Sequence, residues 1–189
     1  MKRSLGAKTL IYPTPVWLIG TYDKSGKPNA ATIAWGGVCS YKPPCVSVSL
    51  RGATYTHGKI MERKAFTVNV PSAGQIKIAD YCGMVSGRNV DKFAEAKITA
   101  VKSEKVDAPY ILEFPMILEC NLLNAVEIGI HTHFIGEIID VQIDESMLGK
   151  DGLPDILKIN PILYGPEIQS YYGVGKFLGK AFAIGKDLK

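Results

Sequence analysis

Cys45-Val-Ser-Val-Ser-Leu-Arg51 is the clearest alternation in the chain. Val46, Val48 and Leu50 share one face and Ser47, Ser49 and Arg51 the other, the period of two that a β-strand imposes on its side chains. A half-polar strand ordinarily turns its polar face to water. This one ends in an arginine at the head of a Gly-Ala-Thr-Tyr-Thr-His turn, so a lined pocket competes with solvent for that face.

The neighbouring segments extend the same pattern. Val16 to Tyr22 is apolar, β-branched or aromatic, and Asp23-Lys-Ser-Gly-Lys-Pro28 supplies hairpin-loop residues before Ala30 to Trp35 returns as a partner strand. Gly36-Gly37 breaks that strand, and Pro43-Pro44 blocks helix at the entrance to Cys45. Thr54 to Lys64 reads as a short helix capped by Thr54, with Ile60 and Met61 inward. Ala65 to Val70 alternates again, and Ser72-Ala-Gly-Gln75 is a capping box opening a helix that Gly83 closes. Asp107 to Glu113 reads as a connection, and Met116 to Ile128 and His133 to Ile143 as long strands paired through Gly129. The tail beyond Asp151 is rich in Pro and Gly. Short strands with hairpin turns and two helices predict an all-β fold with minor helices, an antiparallel barrel whose closure removes exposed edges. With no repeat or linker, residues 1–189 form one expected domain.

Composition narrows the function classes. The 189 residues are 47% hydrophobic and 21% charged, values of a globular chain. The net charge of +4 comes from dispersed lysines, without the concentrated basic stripe and interleaved aromatics of a nucleic-acid binder. Cys39, Cys45, Cys82 and Cys120 form no C-x-x-C pair, against a zinc ribbon, an iron–sulfur run or a thioredoxin-like motif. Met1 to Lys8 is polar, with no signal-peptide apolar run, and the apolar stretch Tyr110 to Ile130 is broken by Glu113, Glu119 and Glu127. The expectation is a cytoplasmic protein with reduced thiols, bound to neither membrane nor nucleic acid.

G-x-G-x-x-G after a strand, G-x-x-x-x-G-K-[ST], H-E-x-x-H and G-x-S-x-G are all absent. Two concentrations of chemistry remain. His131-Thr-His133 places two rings on one face of a strand, either a metal pair lacking its third ligand or a hydrogen-bonded histidine beside a rim histidine. Ser49-Leu-Arg51-Gly-Ala-Thr54-Tyr-Thr56-His57 ends a strand in an arginine and starts a helix with hydroxyls. Free N–H groups and the positive dipole end suit phosphate there, and a guanidinium fork would complete the site. The alternative is that Thr54 only caps the helix and Arg51 is a solvated charge.

Thr32-Ile-Ala-Trp-Gly-Gly, Pro43-Pro-Cys-Val-Ser-Val-Ser-Leu-Arg51, Tyr55-Thr-His, Ala65-Phe-Thr-Val-Asn-Val-Pro71, Ser86-Gly-Arg-Asn-Val-Asp-Lys92-Phe93 and His131-Thr-His-Phe-Ile-Gly136-Glu resemble, in order, blocks of the flavin-reductase-like family. Ser4-Leu-Gly-Ala-Lys-Thr and Tyr171-Tyr-Gly-Val-Gly are most similar to the flavoredoxins. The resemblance implies a Greek-key split β-barrel that forms a homodimer with FMN near the interface. It implies an oxidoreductase or electron carrier, fed by NAD(P)H or a redox protein. By position it places Thr32, Ala34 and Trp35 at the isoalloxazine edge and Ser49, Leu50 and Arg51 along the ribityl chain. Tyr55, Thr56 and Lys92 would grip the phosphate, Phe93 would pack beside the cofactor, and His131 would stand where the donor approaches. No metal belongs to this reading. Cys45 departs from other branches; it is either a redox thiol or a small buried hydrophobe. The alternatives are a non-catalytic FMN-binding module and a metal-dependent enzyme built on His131 and His133.

Overall fold

In the computed structural model, residues 1–188 are described. The strands are β1 (Thr14–Pro15), β2 (Trp17–Tyr22), β3 (Pro28–Ile33), β4 (Gly36–Ser40), β5 (Cys45–Arg51), β6 (Ala65–Val70), β7 (Ala100–Lys102), β8 (Pro109–Ile111), β9 (Met116–Ile128), β10 (His131–Ile143), β11 (Leu163–Gly165) and β12 (Ser170–Tyr172). The α-helices are α1 (Tyr55–Arg63), α2 (Ile76–Met84), α3 (Lys92–Ala96) and α4 (Ile156–Ile159).

Seven strands form one antiparallel sheet in the order β3-β2-β6-β9-β10-β5-β4, a Greek-key arrangement because β5 returns beside β10. The ladder ends at β3 and β4 instead of closing on itself. Those two ends are consecutive in the chain, and the Ser49 N–H of β5 donates to the Trp35 carbonyl between them at 2.9 Å. The open ladder agrees with the Greek-key split β-barrel that the family resemblance implies, and lacks the full closure that the strand and turn pattern by itself suggested. A three-stranded sheet β1-β11-β12 and the hairpin β7-β8 flank it.

The alternation of β5 decides what lies inside. Val46, Val48 and Leu50 join Ile19, Ile33, Ile60, Phe66, Val68, Cys120 and Phe134 in the barrel core. Each such side chain contributes about 1.5–3 kcal/mol by leaving water. On β10, Thr132 and Phe134 are buried while His131 and His133 take the other face. Gly136 keeps the wall thin: a Cβ there would lie 2.5 Å from Phe66 Cζ. A second core, with Val16, Leu18, Ala79, Cys82 and Phe93, glues α2 and α3 to the outside of the sheet. This outer layer creates the groove described below.

Several local expectations change. Gly36 and Gly37 begin β4, and Gly36 is needed because a Cβ would meet the Trp17 ring at 2.6 Å. Met61 faces solvent, and Ile60 alone plugs inward. The capping box at Ser72 opens a 3-10 turn that leads into α2, which runs past Gly83 to Met84. The segment expected as a connection holds β8, fixed by the buried Asn69, whose Oδ1 accepts from Ile111 N–H at 2.8 Å. β10 starts at His131, two residues earlier than expected.

Candidate functional site

Four elements converge on one groove: the end of β5, the start of α1, the end of α2 and the loop from Val85 to Lys92. Thr54 has extended dihedrals (φ −73°, ψ 147°), and its hydroxyl accepts the His57 N–H at 3.3 Å, so the helix is capped by a side chain. The same hydroxyl donates to the Arg51 carbonyl at 2.9 Å, tying strand end to helix start. No acidic residue occupies the first turn of α1. Its unpaired N–H groups and positive dipole end thus remain available to an anion.

A cavity of about 400 Å³ opens here, lined by Arg51, Thr54, Tyr55, Thr56, Arg88 and Lys92 among others, with three cations and no carboxylate. Lys92 is only 4% exposed, and its ammonium donates to the Ala30 carbonyl at 2.8 Å and the Cys82 carbonyl at 2.6 Å. Those bonds leave one of its three donors for a ligand. Desolvation pushes its pKa down, and no carboxylate among the described residues offsets that cost. Arg88 lies over the Tyr55 ring, 5.8 Å from its centroid, and donates to the Ala53 carbonyl at 3.0 Å. The Tyr55 hydroxyl donates to Asp23 at 3.1 Å. Buried Asn29 donates to the Thr56 hydroxyl at 2.8 Å, leaving the Thr56 proton for another acceptor.

A second cavity of about 580 Å³ adjoins the first, since Thr32, Gly83 and Met84 line both. Ala34, Trp35, Tyr164, Tyr171, Gln169 and Asp80 complete its walls. The Thr32 hydroxyl donates to the Ala79 carbonyl at 2.5 Å, which fixes β3 against α2 at the junction. The result is one groove, aromatic at one end and cationic at the other.

Of the residues singled out by sequence, Thr32, Ala34, Trp35, Arg51, Tyr55, Thr56 and Lys92 line this groove. Four do not. Leu50 and Phe93 are core side chains, pointing away as the alternation of β5 and the inner face of α3 require. The Ser49 hydroxyl is engaged with His133 Nδ1 at 2.8 Å. His131 stands opposite Arg51 in the β5–β10 ladder, on the face turned from the barrel core, and lines neither cavity. Among the described residues no group of three or more His, Cys, Asp or Glu side chains could hold a metal ion. Cys45 is buried away from both cavities, and desolvation raises its thiol pKa, the setting of an inert thiol.

Sequence reading left Arg88, Asp80, Gly83, Met84, Tyr164 and Gln169 out of the site. Arg88 was signalled by the Ser86-Gly-Arg block; the others reach the groove only through the packing of α2 and the β11–β12 hairpin.

The flavin reductase like domain model matches residues 9–167. The chain belongs to the flavin reductase-like family. A flavoredoxin of Desulfovibrio vulgaris (Miyazaki F) is similar over 98% of this chain and 100% of its own, at 54% identity and a TM-score of 0.94. A flavoredoxin from Methanosarcina acetivorans matches over 100% of both chains, at 35% identity and a TM-score of 0.93. An NADPH-flavin oxidoreductase of Streptomyces viridifaciens is 26% identical over 176 residues, 92% of this chain and 86% of that one. Like its family, the flavin reductase-like chain is a flavin-type electron-transfer protein with a split-barrel fold. No helix among the described residues is long and apolar enough to cross a membrane.

Proposed function

We propose that the groove holds FMN, with the ring against Thr32, Ala34 and Trp35 and the phosphate among Arg51, Thr54, Thr56, Arg88 and Lys92. The observation that carries this reading is the junction of an aromatic cavity with a cationic one that holds a buried, carboxylate-free lysine. A phosphomonoester supplies the negative charge that Lys92 lacks, which favours FMN over a flavin whose phosphate is esterified onward. When bound, the flavin supplies the electron-transfer chemistry. The chain's residues bind and orient it: Asn29 aims the Thr56 proton, Asp23 steadies the Tyr55 platform, and Thr32 fixes the wall between the two ends. Positive charge at the phosphate end also lowers the cost of adding negative charge to the groove.

Reduced NAD(P) or a reduced redox protein is the proposed donor, in the cytoplasm, where exposed thiols such as Cys39 stay reduced. The proposed assembly is a homodimer. The β9–β10 hairpin exposes Leu123, Val126, Ile128 and Ile130, an apolar surface of the kind that subunits cover. His131, on that hairpin, could then act at a groove completed by the partner.

The experiment is anaerobic mixing of the purified yellow protein with NADH or NADPH. Saturable bleaching supports a reductase. Bleaching only by a reduced protein such as ferredoxin supports a carrier, and no bleaching by any donor supports a storage module. A colourless protein that takes up no FMN would refute the site itself.

A further inference from the structure

The groove is polarised along its length. The cationic end carries Arg51, Arg88 and Lys92 with no acid, whereas the aromatic end has one charged side chain among its lining residues, Asp80. Asp80 sits half-buried on α2 and accepts a hydrogen bond at 2.8 Å from the Tyr171 hydroxyl of β12. Burial and the bond to Asp80 push the Tyr171 phenol up, so it stays a neutral donor and adds no charge of its own. Trp35, Tyr164 and Tyr171 give this end three aromatic walls, with the two tyrosine rings 5.5 Å apart and tilted by 50°. A carboxylate among aromatic rings attracts a planar cation, admits a neutral ring and repels an anion.

We propose that Asp80, positioned by Tyr171, makes the aromatic end of the groove accept planar aromatic groups that are neutral or cationic, the neutral ring of a reduced nicotinamide among them, and disfavours aromatic groups that themselves carry a negative charge. The proposal rests on the reading of this cavity as the flavin ring's site, and it names the class of small molecule that reaches the ring. Asp80 is a specificity-determining residue in this role, and Tyr171 a positioning one.

Benzamidinium, benzamide and benzoate have nearly the same shape and carry positive, zero and negative charge. Titrated into the oxidised, flavin-loaded protein, each reports binding by perturbing the flavin absorption spectrum, with no turnover. Benzamidinium should bind most tightly and benzoate least. Asp80→Asn keeps an acceptor for Tyr171 but removes the charge, so the benzamidinium-to-benzoate affinity ratio should fall about tenfold, as for a unit charge a few ångströms away in a half-exposed site. Tyr171→Phe keeps the charge and should preserve the order of the three probes. An unchanged ratio in Asp80→Asn, or no perturbation of wild-type protein by any probe, would overturn the proposal. Wild-type protein that takes up no flavin would instead refute the flavin reading and the proposal with it.

Discussion

Lys92 and Arg51 should contribute to phosphate binding in measurably different ways, because one cation is buried and the other exposed. Lys92 is 4% exposed, among the described residues bonds the Ala30 and Cys82 carbonyls and no carboxylate, and its charge is little screened by solvent. Lys92→Met keeps the stem and removes the charge. A charge-assisted bond to phosphate is worth about 1.5–3 kcal/mol, which weakens FMN binding roughly 12- to 160-fold. Riboflavin has no phosphate and should change by less than about threefold by the same arithmetic. Arg51 is exposed at the end of β5, so Arg51→Ala should cost only about 0.5–1 kcal/mol at low salt. That smaller loss should fade as the Debye length shrinks from about 10 Å at 0.1 M salt to about 3 Å at 1 M. The assay is fluorescence titration of the apoprotein with FMN and riboflavin at both salt concentrations. Urea denaturation runs in parallel, since the Met variant removes two hydrogen bonds to carbonyls together with a desolvated cation. The reasoning fails if Lys92→Met weakens riboflavin as much as FMN, or if the Arg51→Ala loss exceeds the Lys92→Met loss at both salts.

Two further predictions concern the frame around the phosphate. Asp23 is held to about 2, first by the Ser25 hydroxyl, with the Lys27 and Ser25 N–H groups and the Tyr55 hydroxyl adding to it. Because its folded pKa is depressed, its contribution is present above about pH 4 and lost as pH falls toward 2. Solvent screening holds that contribution to about 1 kcal/mol. Acid denaturation of Asp23→Asn should therefore lack this component, and identical acid midpoints would contradict it. Gly87→Ala would place a Cβ 2.1 Å from Asn29 Oδ1 and 3.0 Å from the Tyr55 ring, against a buried amide that already holds Thr56. It should destabilise by about 1–3 kcal/mol, read as a lower Tm, and should also weaken FMN; an unshifted Tm would show that the loop relaxes freely.

The fold was legible wherever one strand face is buried. Cys45–Arg51 has the bounds its alternation implies, and the Thr54 cap places α1 to within a residue. Legibility failed where a residue's neighbours come from far along the chain. Gly36 reads locally as a break, yet it is a strand residue pressed on Trp17, a contact set by the β3–β4 corner. β8 is specified by Asn69, forty-two residues before Ile111. At the site, Arg51, Thr54 and Thr56 were legible because a strand end and a helix start announce them, whereas Lys92 rested on the family resemblance and Arg88 was missed. Leu50 and Ser49 show the limit: position in a block says that a segment passes the cofactor, while strand parity decides that Leu50 points into the core and Ser49 toward His133. Asp80 and Tyr164 carried no local signal at all.

Shape alone does not orient a ligand in a groove open at both cavities; the charges do. At one end the α1 N-terminus, Arg51, Arg88 and Lys92 all favour negative charge. At the junction the C-terminal turn of α2 presents the Cys82 carbonyl, which accepts from Lys92, and the residues that line both cavities there, Thr32, Gly83 and Met84, carry no charge. At the other end Asp80 disfavours an anion. A flavin phosphate inserted backwards would leave three cations and face a carboxylate, so the reversed pose loses on both counts. The same gradient that fixes the cofactor's direction therefore also leaves the ring end selective for uncharged or cationic partners, which is why the Asp80 and Lys92 variants should fail in different ways: loss of Lys92 weakens the hold on FMN, while loss of Asp80 changes which molecules can approach it.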